Sequence, residues 1–288
     1  MRKRLTEVVN VASVPLRSPF RYPGGKTWAI PRVRQWLRSV PQRSRRTFVE
    51  PFAGGAIIGL TVAFESLAEE VILVELDDNV ASVWQTILNG EGEWLVQQIA
   101  DFEMTRDAVR RVLRNAERST RNRAFATVVE NRVNRGGILA PGAGKMKNGE
   151  NGNGIGSRWY PDTLCRRIRE IMARRDRIRF IHGDGFEVME RHLAAPESAY
   201  FIDPPYTVAG RRLYRHSEVD HEYLFRLAAM ARGPFLMTYD HSEEILALAE
   251  AHDFDVAEVA MKTTHHTEKM ELFISRDLSW AVEATLPL

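Results

Sequence analysis

The 288-residue sequence is 44% hydrophobic and 27% charged, with 19 Gly, 13 Pro and a single Cys. This excludes collagen-like, disordered and disulfide-scaffold classes and leaves one large globular domain or two. One cysteine fits a reducing, intracellular compartment, the basic N-terminus lacks the apolar core of a signal peptide, and the longest uncharged apolar stretch, 51–64, is too short to span a bilayer. The net charge of +2 conceals four blocks: 12 Lys/Arg against 2 acids over 1–50, none against 8 over 51–100, 19 against 9 over 101–182, and 9 against 19 over 183–288. Two basic segments separated by acidic ones imply a polyanionic partner held against an acidic scaffold.

In chain order, residues 47–50 form a β-prone run that breaks at Pro51 into Phe52-Ala53-Gly54-Gly55. An apolar helical pattern follows over 56–67, and Val71-Ile72-Leu73-Val74 reads as a buried strand ending in Glu75. Strand, glycine turn, helix and strand make a βαβ unit, which predicts a parallel sheet covered by helices. From about 84 to 132 the pattern is helical and arginine-rich; 142–156 is a Gly/Asn-rich loop with Lys145 and Lys147. Leu164, Ile168, Ile171 and Met172 sit at helical spacing. Strands are expected at 178–181 before His182-Gly183-Asp184, at 199–202 before Asp203 and at 235–239 before Asp240. Each ends in a carboxylate, where a doubly wound sheet presents its ligand-binding edge. Residues 256–261 and 271–275 look like a terminal antiparallel pair. The expectation is an α/β, Rossmann-like sheet with helices on both faces. Its catalytic parts are 1–79 and 166–288, with a mainly helical segment, 80–165, inserted between them.

Two places carry chemistry. The turn Glu50 to Gly55 lets backbone approach a ligand, and Glu75 lies 21 residues beyond Gly54 at the end of the next strand, placed to accept both hydroxyls of a ribose. G-x-G-x-x-G is absent, which favours a nucleoside over a dinucleotide. Gly25-Lys26-Thr27 is not a Walker A loop, because Phe20 stands where that motif needs Gly. The second place is Asp203-Pro204-Pro205-Tyr206, where an apolar strand delivers a carboxylate into a rigid turn. The prolines fix φ and leave free carbonyl acceptors. Two acceptors around an exocyclic amine favour a pyramidal nitrogen, and Tyr206 offers a face for a base to stack on.

Arg21-Tyr22-Pro23-Gly24-Gly25-Lys26, Phe48-Val49-Glu50-Pro51-Phe52-Ala53-Gly54-Gly55, Asp203-Pro204-Pro205-Tyr206 and the tail Lys269-Met270-Glu271-Leu272-Phe273-Ile274 together resemble the ordered motifs of the Dam-type (D12 class) DNA adenine-N6 methyltransferases. The resemblance implies a Rossmann-like methyltransferase fold with S-adenosyl-L-methionine as methyl donor. Tyr22 and Lys26 would line the donor's methionine end, Glu75 its ribose and Asp184 its adenine, with Gly24, Gly25, Pro51, Phe52 and Gly54 completing the set. Asp203 would contact both donor and target amine, with Pro204, Pro205 and Tyr206 beside it in the catalytic turn. Tyr22 stands where Trp is usual and Glu75 where Asp is usual, and both keep the chemistry. The recognition segment diverges, so the resemblance leaves the recognition sequence, GATC or another, open.

The implied partner is double-stranded DNA, with the target adenine flipped out of the helix. Asn131, Arg132, Arg135, Lys145 and Lys147 are the expected DNA-binding residues, with segment 80–165 as the reader of the target. No metal is expected, since His265-His266 would point to opposite faces of a strand. A cytosine-C5 enzyme would need Cys after Pro, and Cys165 follows Leu164. Cytosine-N4 enzymes usually carry Ser in place of Asp203. An RNA methyltransferase and a catalytically silent DNA-binding module are the other readings. A monomer in the cytoplasm, of bacterial, archaeal or phage origin, is expected, with restriction-modification as one setting.

Overall fold

The computed structural model describes residues 3–5, 13–22, 24–146, 149, 152, 154–206, 218–262 and 268–281. The sheet follows from runs apolar on both sides. In β3 (Glu70–Glu75), Val71 and Leu73 enter one buried cluster while Ile72 and Val74 enter the other. A strand buried on both faces belongs in the middle of a parallel sheet covered by two helix layers. The same alternation holds in β2 (Thr47–Glu50), β5 (Ser198–Ile202) and β6 (Phe235–Asp240).

Numbering β1 (Lys3–Leu5), β4 (Ile178–His182), β7 (Asp255–Lys262) and β8 (Glu268–Ser275) as well, the sheet order is β1-β7-β8-β6-β5-β2-β3-β4. The run from β4 to β6 is parallel, β8 is antiparallel to β6 and β7, and β1 adds to β7 in parallel. From β2 the chain winds outward through β3 and β4, then restarts on the other side with β5 and β6. The switch point falls between β2 and β5, so the turns after Glu50 and Ile202 open side by side, where such sheets hold their ligands.

One face is covered by α1 (Ile30–Ser39), α2 (Ile57–Phe64) and α3 (Asp78–Leu88), backed by α4 (Gly92–Asp101), α5 (Arg106–Arg114), α6 (Thr120–Val133) and α7 (Pro161–Met172). The other is covered by α8 (Gly185–His192), α9 (His221–Met230) and α10 (Glu243–Ala251). The α/β architecture with helices on both faces is the expected one, and so is the terminal antiparallel pair. The helix expected over 56–67 is shorter, because Ala56 takes a left-handed φ of 50° and Glu65 leaves helical geometry. Neither α1 nor β1 was expected; three residues bearing Lys and Arg carry no strand signal. The described residues of 80–165 pack into the core of the sheet. Trp84, Leu95, Val129 and Leu164 share one buried cluster with Val71 and Leu73 of the sheet. Among the described residues no helix is long and apolar enough to cross a membrane.

Trp84 of α3 couples core to turn. It is fully buried, and its indole N–H donates to Gly54 O at 2.9 Å. Replacing it by Ala empties a large volume and frees a buried carbonyl. Chemical denaturation is expected to show Trp84→Ala less stable by roughly 3–5 kcal/mol.

Candidate active site

A cavity of about 690 Å³ opens at the switch point, and all ten residues expected to hold a methyl donor line it. Its first wall is the glycine turn. Gly54 has φ 47°, and a Cβ there would lie 2.6 Å from the Tyr22 ring, so only glycine lets that ring pack on the turn. Glu75 fixes the turn from the end of β3. Its Oε2 accepts Gly54 N–H at 2.9 Å and its Oε1 accepts Asp77 N–H at 2.8 Å, tying the turn to the start of α3. Burial outweighs those hydrogen bonds and pushes the Glu75 carboxyl up to about 7. Glu50, at the cavity floor, accepts Gly59 N–H at 2.8 Å, and burial pushes its carboxyl well above the carboxylate range.

Asp184 caps α8 through Oδ1, which accepts Phe186 N–H at 2.8 Å. Beside it, Phe52 meets Phe186 edge-on at 5.8 Å, and Phe186 stacks on Tyr223 at 5.6 Å. Phe52 and Phe186 make an aromatic flank of the cavity next to a carboxylate, suited to a purine.

The opposite end is built on Asp203. Its Oδ1 accepts from Thr238 Oγ1 at 2.7 Å and faces Lys26 Nζ at 2.9 Å. Oδ2 has no hydrogen bond among the described residues, and Asp203 lines the cavity. Lys26 also donates to Gly24 O at 2.9 Å. Burial would push the Lys26 ammonium down, but Asp203 and Glu271 outweigh it and its pKa ends above the ordinary value. Pro205 lines the cavity and Pro204 is buried behind it. Tyr206 corrects an expectation, since its ring is 8% exposed and does not line the cavity. Lys26 Nζ lies over that ring at 4.9 Å and Tyr239 stacks on it at 6.0 Å, so the aromatic face meant for a base is taken up inside the protein.

The DNA-binding set divides. Asn131 is 1% exposed and cannot enter a groove; its side chain accepts Arg21 N–H at 2.9 Å and donates to Arg21 O at 3.0 Å and Gly137 O at 2.7 Å. It therefore fastens the loop before Tyr22 to the end of α6. Arg132 is also buried, donating to Pro19 O, but it lines the cavity. Burial, then the charges of Arg21, Arg167 and Arg158, push its pKa down to about 9. Arg135 and Lys145 are exposed and held together, with Arg135 N–H donating to Gly144 O at 2.8 Å and Lys145 bridging Asn134. Lys147 and His265-His266 lie outside the described residues, and among those described no group of three His, Cys, Asp or Glu could hold a metal.

Sequence reading missed Arg158 and Arg167, which join Arg21 and Arg132 on the basic side of the cavity. It missed Leu16, Leu76 and Tyr160 as well, three of the four large apolar side chains left exposed among the described residues, all at the cavity. Exposed apolar surface gathered at one opening marks a binding surface. Only the arginine excess of 101–182 hinted at any of these.

A doubly wound sheet with a nucleoside-sized cavity at its switch point, a glycine turn and an anchored Asp-Pro-Pro-Tyr carboxylate defines a methyltransferase fold. The chain belongs to the D12 class N6 adenine-specific DNA methyltransferase family, whose sequence profile matches residues 22–265. S-adenosylmethionine is its methyl donor. No curated protein matches the chain. Among solved structures it is similar to a putative RNA methyltransferase from Pyrococcus horikoshii (12% identity, covering 89% of this chain and 84% of that one, TM-score 0.39). It is also similar to an rRNA methyltransferase from Streptomyces viridochromogenes (12%, 81% and 82%, 0.36) and a precorrin-6y C5,15-methyltransferase from Geobacter metallireducens (9%, 86% and 86%, 0.35). Similarity at this level says nothing about substrate.

The residues fit the donor. Half-buried carboxylates at Glu75, Asp184 and Asp203 would receive its ribose and face its sulfonium, and the Phe52–Phe186 flank would take its adenine. If Glu75 receives the ribose hydroxyls, donor binding favours its ionised form. Calorimetry is then expected to show donor affinity rising as pH increases through about 7, and Glu75→Gln flattening that rise and weakening binding roughly tenfold. The same group makes the folded protein lose stability as pH rises from 4.5 to about 7, because the folded state holds the proton longer. Glu75→Gln lacks that loss.

Proposed function

We propose that this protein is a site-specific DNA methyltransferase that methylates adenine N6 in duplex DNA, acting on a base flipped out of the helix, as a monomer in the cytoplasm. The observation that carries this reading is Asp203, which lines the cavity and is held by Oδ1 while Oδ2 has no hydrogen bond among the described residues. S-adenosylmethionine supplies an electrophilic methyl group on a sulfonium centre. The amine nitrogen of adenine is a poor nucleophile because its lone pair is delocalised. Asp203 Oδ2 accepts one amine hydrogen, and a carbonyl of the Pro204–Pro205 turn accepts the other, which aims the lone pair. Orientation and fixed charge then carry the rate, with no covalent intermediate on the protein. Lys26, Thr238 and the β-strand behind Asp203 prevent the carboxylate from turning away.

Segment 80–165 reads and holds the DNA in this account, and 1–79 with 166–288 forms the catalytic part. Arg135 and Lys145, exposed together, contact the duplex backbone. Arg132, Arg158 and Arg167 face the strand that delivers the flipped nucleotide. The extrusion costs a few kcal/mol, and the phosphate contacts offset it.

Transfer of labelled methyl to duplex DNA, with RNA of the same sequence as control, tests the assignment. Label is expected on DNA alone, and Asp203→Ala is expected to reduce it by at least about a hundredfold. Label on RNA alone, or label that survives Asp203→Ala, contradicts it. Arg135→Ala with Lys145→Ala is expected to lower the slope of log affinity against log salt by about 2 while leaving donor affinity unchanged.

A further inference from the structure

A base extruded into the cavity needs a face for its ring, and most aromatic side chains there are already engaged. Phe20 is buried and meets Tyr22 edge-on at 6.2 Å and Trp84 at 5.7 Å. Tyr22 packs on the glycine turn. Phe52 and Phe186 meet each other at 5.8 Å, and Phe186 stacks on Tyr223. Tyr160 differs: among the described residues it has no ring contact and no side-chain hydrogen bond, and it lines the cavity while 56% exposed.

The backbone on either side of Tyr160 is pinned. Pro161 occupies the first position of α7, and the Tyr160 carbonyl accepts Leu164 N–H at 3.1 Å. Trp159 N–H donates to Gly156 O at 2.9 Å, and the Trp159 ring meets Phe102 at 5.5 Å. The exposed ring therefore has a rigid mount, which lowers the ordering cost of any contact it makes. Arg158, two residues earlier, and Arg167, about two turns along α7, line the same cavity, as does the buried Arg132. An exposed ring among cations combines base stacking with phosphate attraction, the pairing that holds an unpaired nucleic-acid strand.

We infer that Tyr160 is the stacking platform on which the extruded adenine rests while its amine lies at Asp203. The inference rests on the reading of this protein as a methyltransferase that acts on a flipped adenine. Tyr206 and Tyr239 stack on each other inside the protein and leave the base no face there. The Phe52–Phe186 flank is assigned to the donor's adenine. The Tyr160 ring holds a base by its π-face, so the choice of adenine stays with Asp203 and the proline turn. Stacking on the ring offsets part of the stacking that the base loses on leaving the helix.

Tyr160→Ala and Tyr160→Phe are compared with the parent enzyme on a duplex carrying the methylated site, and on the same duplex with the target base removed to leave an abasic sugar. Binding is read by fluorescence anisotropy with the demethylated donor present, and methyl transfer by steady-state kinetics on the intact duplex. Tyr160→Ala is expected to bind the intact duplex roughly 5- to 150-fold more weakly, and the abasic duplex as the parent does. Its KM for DNA rises more than its kcat falls, and its thermal unfolding and donor affinity stay those of the parent. Tyr160→Phe, which keeps the ring, recovers most of the loss. Equal losses on both duplexes would mean that the ring contacts the helix rather than the flipped base, and no loss on either that it contacts neither; both results overturn the inference. If the parent methylates no DNA, the proposed function fails, and the platform is tested on a short oligodeoxyadenylate against an abasic strand of the same length. Weaker binding by Tyr160→Ala confined to the strand with bases supports the platform, and any other result overturns it.

Discussion

Lys26 Nζ and Asp203 Oδ1 are 2.9 Å apart, and the lysine side chain is 4% exposed. Burying an ammonium costs several kcal/mol unless an anion meets it, so the N-terminal loop that carries Lys26 is committed to the end of β5. Through this contact the loop, the Asp-Pro-Pro-Tyr turn, β6 (Thr238) and β8 (Glu271) become one unit. The glycine turn is bound into the same unit, because Tyr22 of the loop packs on Gly54 and Gly55. The glycine turn and the Asp203 carboxylate are therefore tied together, which the proposed orientation-driven chemistry demands.

Charge is divided in the same way. Glu50, Glu75, Asp77, Asp184 and Asp203 line the sheet side of the cavity, while Arg21, Arg132, Arg158 and Arg167 line the helical side. A cationic donor and an anionic strand can thus approach one cavity from opposite walls. The near-neutral total charge is the sum of these two fields rather than an absence of field. Arg132 is the most telling of the four, buried and pushed down by its neighbours' charges, and an arriving phosphate would relieve that repulsion.

The sheet was legible because its central strands are uninterrupted apolar runs that end in carboxylates, and burial on both faces leaves such runs few alternatives. The ten residues expected around a donor line one cavity, because the glycine turn and the strand-end acids meet at one edge of the sheet. What escaped was decided across long separations. Asn131 looked like a groove contact at a helix end, but its amide is spent on Arg21, 110 residues away. Tyr206 looked available for stacking, because nothing in the sequence tells that Lys26 and Tyr239 take up its ring. Arg158 and Arg167 were two of many arginines, and only the fold shows which face the cavity.

The central claim is that the anchored Asp203 presents Oδ2 to adenine N6. Nucleoside mass spectrometry measures this most directly, on plasmid DNA exposed to the protein and to a donor carrying an isotopically labelled methyl group. The account predicts the label in N6-methyldeoxyadenosine, at one recurring short sequence. Label in N4-methyldeoxycytidine, or in no deoxynucleoside while RNA is modified, would contradict it.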